Sequence, residues 1–126
     1  MKNYFDLTGQ VAIVTGCSTG LGVQMAKALA NQGATIVALA RRKEKIDAVA
    51  KEIRALGRKA VGFALDVTDY RQVHAMYEFA LQEFGTVDFV VNSAGVCLTE
   101  DLTEQSLKDI DLSIDVNIKG TIYSCR

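Results

Sequence analysis

At 126 residues, with 49% apolar and 23% charged residues, the chain has the size and composition of one ordinary globular domain. A formal net charge of −1 leaves no electrostatic footprint for nucleic acid or for an anionic membrane surface. No apolar run approaches the roughly 18 residues of a membrane span, and no apolar stretch follows Met1 to Asp6, so neither a membrane anchor nor a secretory signal is expected.

Residues 1–9 read as a lead-in, with Phe5 and Leu7 able to pack beneath a first strand over Gln10 to Thr15. That strand is almost continuously apolar, as suits a parallel strand covered on both faces. The glycine-rich stretch Thr15-Gly16-Cys17-Ser18-Thr19-Gly20-Leu21-Gly22 follows, then a helix from Leu21 to about Gln32 with Leu21, Met25, Ala28 and Leu29 at helical spacing and Gly33 as its stop. A second buried strand spans 35–40. Arg41-Arg42-Lys43 leads into a helix with Ile46, Val49, Ala50, Ile53 and Leu56 on one face, closed by Gly57. The third strand runs from Ala60 to Leu65 and ends at Asp66. Asp69 and Gln72 resemble a capping box for a helix carrying Val73, Met76, Tyr77, Ala80 and Leu81, closed by Gly85. The fourth strand, Val87 to Val91, runs directly into Asn92-Ser93-Ala94-Gly95. After a polar loop, a last helix beginning near Thr103 or Ser106 carries Leu107, Ile110, Ile114 and Ile118 on one face.

The order βαβαβαβα with these spacings predicts an α/β fold: a Rossmann-type, doubly wound parallel sheet of about four strands and four helices, in one domain over 1–126. Ligands of such sheets bind at the C-terminal ends of the strands. The loops at 15–22, 40–42, 66–67 and 92–95 all fall there. A strand that enters a glycine-rich turn and then a helix offers unpaired N–H groups and a positive helix end to a phosphate. His74, without a companion histidine, reads as a solvent-facing helix residue. Cys17, Cys97 and Cys125 lack metal-ligand spacing, so no metal site is expected, and they read as reduced thiols of a cytoplasmic protein. Oxidation of Cys17, inside the glycine-rich loop, would crowd a bound pyrophosphate.

On four of these features the chain resembles the classical short-chain dehydrogenase/reductase family. They are Thr-Gly-x-x-x-Gly-x-Gly at 15–22, the acidic Asp66 after strand three, Asn-x-Ala-Gly at 92–95, and Asn117 within Asp115-Val116-Asn117-Ile118-Lys119-Gly120. Within the family, residues 33–45 and the opening 5–9 look most like sugar-acid or polyol dehydrogenases such as gluconate 5-dehydrogenase. The resemblance implies an NAD(P)-dependent oxidoreductase that exchanges a hydride between a nicotinamide and a secondary alcohol or ketone, and that assembles as a homo-oligomer. It implies that Gly16, Gly20 and Gly22 form the pyrophosphate turn, with Ser18, Thr19 and Leu21 lining it. Asp66 would take the adenine amino group with the Val67 backbone beside it, and Asn92, Ala94 and Gly95 would pass the ribose and nicotinamide. Asn117 would hold a water in the proton relay of the active site.

Other readings of the same residues stay open. Asp66 also suits a turn or cap before the next helix; Asn92 to Gly95 suit a plain strand-to-loop turn; Asn117 suits a buried structural amide. Ala40 stands where NAD-specific members carry an acid for the ribose diol, whereas Arg41 and Arg42 suit a 2′-phosphate, which favours NADP over NAD. Alternatively Arg41-Arg42-Lys43 is a solvated helix start, although cations there oppose the helix dipole. The family's catalytic serine and Tyr-x-x-x-Lys lie beyond the asparagine helix, and these 126 residues contain no Tyr-x-x-x-Lys. The chain is therefore expected to be the cofactor-binding half of such an enzyme, inactive by itself. A non-catalytic dinucleotide-binding module is the alternative, and a domain for another adenine-containing ligand such as S-adenosylmethionine is a third. Strand four should leave an unpaired apolar edge, which predicts a poorly soluble or self-associating chain.

Overall fold

A computed structural model describes residues 3–126; Met1 and Lys2, the start of the lead-in, lie outside the described residues. Four parallel strands form one sheet in the order β3-β2-β1-β4, with β1 Val11–Val14, β2 Thr35–Ala40, β3 Ala60–Ala64 and β4 Phe89–Val91. Ala12 of β1 pairs with Ile36 on one side and Phe89 on the other, so the first strand is central. The helices are α1 Gly20–Asn31, α2 Lys43–Ala55, α3 Tyr70–Phe84 and α4 Leu107–Ile114. A π-helical turn at Asp115–Lys119 joins α4 to α5, Gly120–Cys125. The expected doubly wound architecture is present.

Two apolar layers follow from the strand period. Ala12, Val14, Ile36 and Ala38 face Ala26 and Ala30 of α1 and Ile46, Val49 and Ile53 of α2. The alternate residues Val11, Ile13, Val37 and Leu39 face Val73, Met76 and Ala80 of α3, with Val116 and Tyr123 packed against the same layer. Successive strand side chains point to opposite faces, so a strand apolar throughout needs a helix on each side.

Several expectations are corrected. Phe5 is 74% exposed, and among the described lead-in residues it is Leu7 that packs on the core. In α1 the buried stripe is Gly22, Ala26 and Ala30, while Leu21 is 72% exposed and Met25 also faces out. The reason is close approach: a Cβ on Gly22 would lie 2.3 Å from the Gly16 carbonyl oxygen. The helix sits too near the sheet for large side chains on that face. Leu56 and Leu81, placed on core stripes by spacing, are exposed at the helix ends. Leu107, Ile114 and Ile118 also lie outward; Val116, Gly120 and Tyr123 make the inward contact instead. Strand β4 is shorter than expected because Asp88 caps its start: the Asp88 carboxylate accepts the Val11 N–H at 2.7 Å.

The last helix begins at the second of its two candidate starts. The Ser106 hydroxyl caps it by accepting the Asp109 N–H at 3.1 Å. Its π turn, in which the Gly120 N–H reaches the Asp115 carbonyl, was not legible in the spacing. Such turns insert one residue and often mark functional positions. No helix among the described residues is long and apolar enough to cross a membrane.

Candidate functional site

At the C-terminal edge of the sheet a cleft of about 360 Å³ is lined by residues of all four expected loops. That volume falls in the range of small-molecule sites. Gly16, Ser18, Thr19, Leu21 and Gly22 contribute from the first loop, Arg41 from the second, Asp66 and Val67 from the third, and Ala94 and Gly95 from the fourth. Three of the residues expected to bind the cofactor stand outside the lining. Gly20 is the first residue of α1, Arg42 is the N-cap position of α2, and the Asn92 amide lies against Cys125 Sγ at 3.5 Å.

The two outer glycines of the first loop pack protein against protein. Gly16 has φ +63°, and a Cβ there would meet Ser93 O and Ala94 N at 2.6 Å. Gly22 lets α1 rest on Gly16 itself. Gly20 also has φ +63°, yet open space surrounds its Cβ position. Of the three loop glycines, Gly20 alone combines a left-handed backbone with open space at its Cβ position. Thr19, the N-cap of α1, makes no side-chain cap bond. The positive end of α1 is thus left to solvent or to an anion.

Thr15 decides where the fourth loop lies, a role the motif alone did not reveal. Its side chain is 1% exposed, and its hydroxyl oxygen accepts Ser93 N–H at 3.1 Å and Ala94 N–H at 3.0 Å. The Thr15 N–H itself donates to Val91 O at 3.0 Å. A hydroxyl at the end of an otherwise apolar strand is the signal that could have flagged it, because buried hydroxyls need partners. Ser93, Val96 and Val116 also line the cleft without having been singled out.

Asn117 holds the far wall in place. Its Oδ1 accepts the Val96 N–H and its Nδ2 donates to the Val96 carbonyl, both at 2.8 Å. Nδ2 also reaches Ser113 Oγ at 3.3 Å. The side chain is exposed, which removes the buried-amide alternative, and its hydrogen-bonding groups are engaged. Asn117 does not itself line the cleft. Gly120 lies behind it, where a Cβ would press on Val67 Cγ2 at 2.7 Å, so this glycine lets the last helix close on the third loop.

Charge in the cleft is sparse and unpaired. Neither the Arg41 nor the Arg42 guanidinium forms an ion pair or hydrogen bond among the described residues. Asp66 Oδ1 accepts the Thr68 N–H at 2.9 Å and its hydroxyl at 2.8 Å, so the turn reading of Asp66 is part of its structure. Its second oxygen and the Val67 N–H have no partner among the described residues. Cys17 points the other way, into the core beneath α1, where burial pushes its thiol up to about 11. Burial and protonation disfavour its oxidation, and it serves as a small residue of the core. His74 is exposed beside Glu78, as expected.

A donor-rich helix end, an unpaired guanidinium and an acceptor–donor pair at Asp66–Val67 fit a dinucleotide. Known proteins place the chain more directly. Residues 10–126 match the short chain dehydrogenase family model. An uncharacterized oxidoreductase of Staphylococcus aureus strain USA300 is 40% identical over 120 residues, 95% of this chain and 51% of its own length. A second from Staphylococcus saprophyticus is 39% identical over 120 residues, 94% of this chain and 51% of its own. The chain therefore spans about half the length of the curated relatives it matches. Among solved structures, a metagenomic short-chain oxidoreductase in complex with NADP superposes with TM-score 0.89 at 37% identity, over 96% of this chain and 55% of that one. A short-chain type dehydrogenase/reductase from Mycobacterium marinum gives TM-score 0.91 at 34% identity, over 96% and 48%. Sequence and backbone agree over nearly the whole chain, which belongs to the short chain dehydrogenase family.

Proposed function

We propose that the chain is the cofactor-binding half of an NADP-dependent oxidoreductase that interconverts a secondary alcohol and a ketone. The observation that carries this reading is the cleft itself, where four loops separate in sequence converge on one rim. The uncapped start of α1 and the open Gly20 turn would hold the pyrophosphate. Asp66 and the Val67 N–H would take the adenine edge, and Ala94 and Gly95 would border the ribose and nicotinamide. When bound, the nicotinamide donates or accepts the hydride. Arg41 lines the cleft unpaired beside the small, uncharged Ala40, which supports NADP over NAD, with Arg42 nearby. The NADP named for the metagenomic neighbour supports the same preference.

Asn117 positions the wall that carries Val96, and its main-chain carbonyl, which accepts from Thr121 Oγ1 at 3.1 Å, is its remaining group for a relay water. Protonation of a developing alkoxide needs an acid, and no Tyr-x-x-x-Lys occurs within these residues. The 126-residue chain alone therefore binds cofactor without turnover. A module that binds dinucleotide and never catalyses is the second reading. By resemblance, residues 33–45 and 5–9 support a sugar-acid or polyol substrate. The outward apolar residues of the last helix support a homo-oligomer, and the three free cysteines support a reducing, cytoplasmic setting.

Titration of nicotinamide fluorescence tests the cofactor reading. The chain is expected to bind NADPH more tightly than NADH, and Arg41→Ser to lose roughly tenfold in NADPH affinity while leaving NADH nearly unchanged. Equal affinity for the two, or no binding of either, would overturn it.

A further inference from the structure

Behind the cleft, Asp66 is held from two directions by side chains that do not line it. Thr68 supplies two hydrogen bonds to Asp66 Oδ1, at 2.9 Å from its N–H and 2.8 Å from its hydroxyl. Gln72 fixes the backbone of the same residue: its Oε1 accepts the Asp66 N–H at 3.0 Å. Gln72 Nε2 in turn donates to Asp69 Oδ2 at 3.0 Å, and the Asp69 N–H donates back to the Asp66 carbonyl at 3.1 Å. Residues 66–69 and the first turn of α3 thus form one closed polar ring. What the ring leaves unused is an acceptor, Asp66 Oδ2, next to a donor, the Val67 N–H, on residues that line the cleft.

An acceptor beside a donor complements a 6-aminopurine, whose amino group donates and whose N1 accepts. It opposes a 6-oxopurine at both positions, because there the 6-oxygen accepts and N1–H donates. We propose that Thr68 and Gln72 are positioning residues for this purine discrimination: they lock Asp66 and Val67 as an acceptor–donor pair that reads adenine. The inference rests on the dinucleotide reading above. Without the Thr68 hydroxyl, Asp66 Oδ1 keeps only the Thr68 N–H, and the carboxylate is held less firmly. Without Gln72 the backbone at Asp66 loses one of its two ties to the start of α3, keeping only the bond from the Asp69 N–H. Each loss reduces preorganisation, and so the difference between right and wrong base, more than it reduces general affinity.

The test compares NADPH with its hypoxanthine counterpart on the full chain by fluorescence titration. The wild type is expected to prefer the adenine form. Thr68→Val, nearly the same shape without the hydroxyl, is expected to cut that preference about fivefold, about what one ordinary hydrogen bond is worth. Thr68→Ser is expected to keep it, and Gln72→Leu to reduce it as Thr68→Val does. If Gln72→Leu does not fold, the Thr68 pair decides alone. Variants that weaken both cofactors equally, leaving the ratio at the wild-type value, would overturn the proposal while leaving the dinucleotide reading intact. A wild type that binds neither cofactor would overturn both.

Discussion

The motif glycines divide by what their missing Cβ would touch, and this separates folding from binding. At Gly16 an added methyl collides with the backbone of Ser93 and Ala94 in a left-handed conformation. Gly16→Ala is therefore expected to lower stability by about 2–4 kcal/mol, combining backbone strain with overpacking. Gly20→Ala meets only the strain, about 1 kcal/mol. Denaturant midpoints of the two variants check the order, and a Gly20 variant less stable than the Gly16 one would refute it. Cys17 gives a second expectation at this scale. Its thiol is buried and pushed up to about 11, whereas Cys97 and Cys125 are exposed. Iodoacetamide at mildly alkaline pH should label two cysteines in the native chain and a third only after unfolding, as intact mass would show. Native labelling of Cys17 would contradict its place in the core.

Among the helices, α3 has the most complete start. The Asp69 carboxylate accepts Arg71 N–H at 3.0 Å and Gln72 N–H at 3.4 Å, and also the Gln72 amide. The Gln72 side-chain bond is the first cause holding its carboxyl below the ordinary aspartate value. The sign follows directly. A lowered folded-state value makes the cap's contribution fully present above the unfolded value, and lost as pH falls through the folded one. Below about pH 4 the wild type should therefore lose thermal stability that Asp69→Asn, a non-titrating cap of similar strength, does not lose. Melting curves of the two chains across acid pH test this, and parallel curves would sink it. Because the same cap is joined to Asp66 through Gln72, the acid that frays α3 should also loosen the cofactor edge.

On the scale of the whole molecule, the sheet has β4 at one border, and that strand carries Phe89, Val90 and Val91. Leu107, Ile114, Ile118 and Ile122 face outward along the last helices. An apolar strand edge and an apolar helix face in one molecule favour association. Sedimentation of the 126-residue chain is expected to show species larger than 13.7 kDa. Ile118→Lys together with Ile122→Lys should shift the distribution toward the monomer. A wild-type chain that sediments as one monomer and melts cooperatively would refute the expectation.

Much of this was legible from residue order because its causes are local. Unbroken apolar runs mark strands covered on both faces, Gly33, Gly57 and Gly85 close helices where a left-handed residue is needed, and Asp69 with Gln72 announces a helix start. These signals fixed the element order, the parallel sheet and the four loops at its edge. Contacts distant in sequence were not legible. Spacing chose the large residues Leu21 and Met25 as the buried face of α1, but the approach of Gly22 to Gly16 admits only small side chains there. Spacing put Ile114 and Ile118 on one apolar face without showing where it points; that face lies outward, and the π turn and Gly120 bring Val116 and Tyr123 to the sheet. Thr15 binds backbone 78 residues away at Ser93, and Asn117 binds Val96 across 21 residues. Composition and periodicity determined which segments fold and in what order; steric fit and hydrogen-bond satisfaction, which exist only once the segments meet, decided which side chains build the cleft.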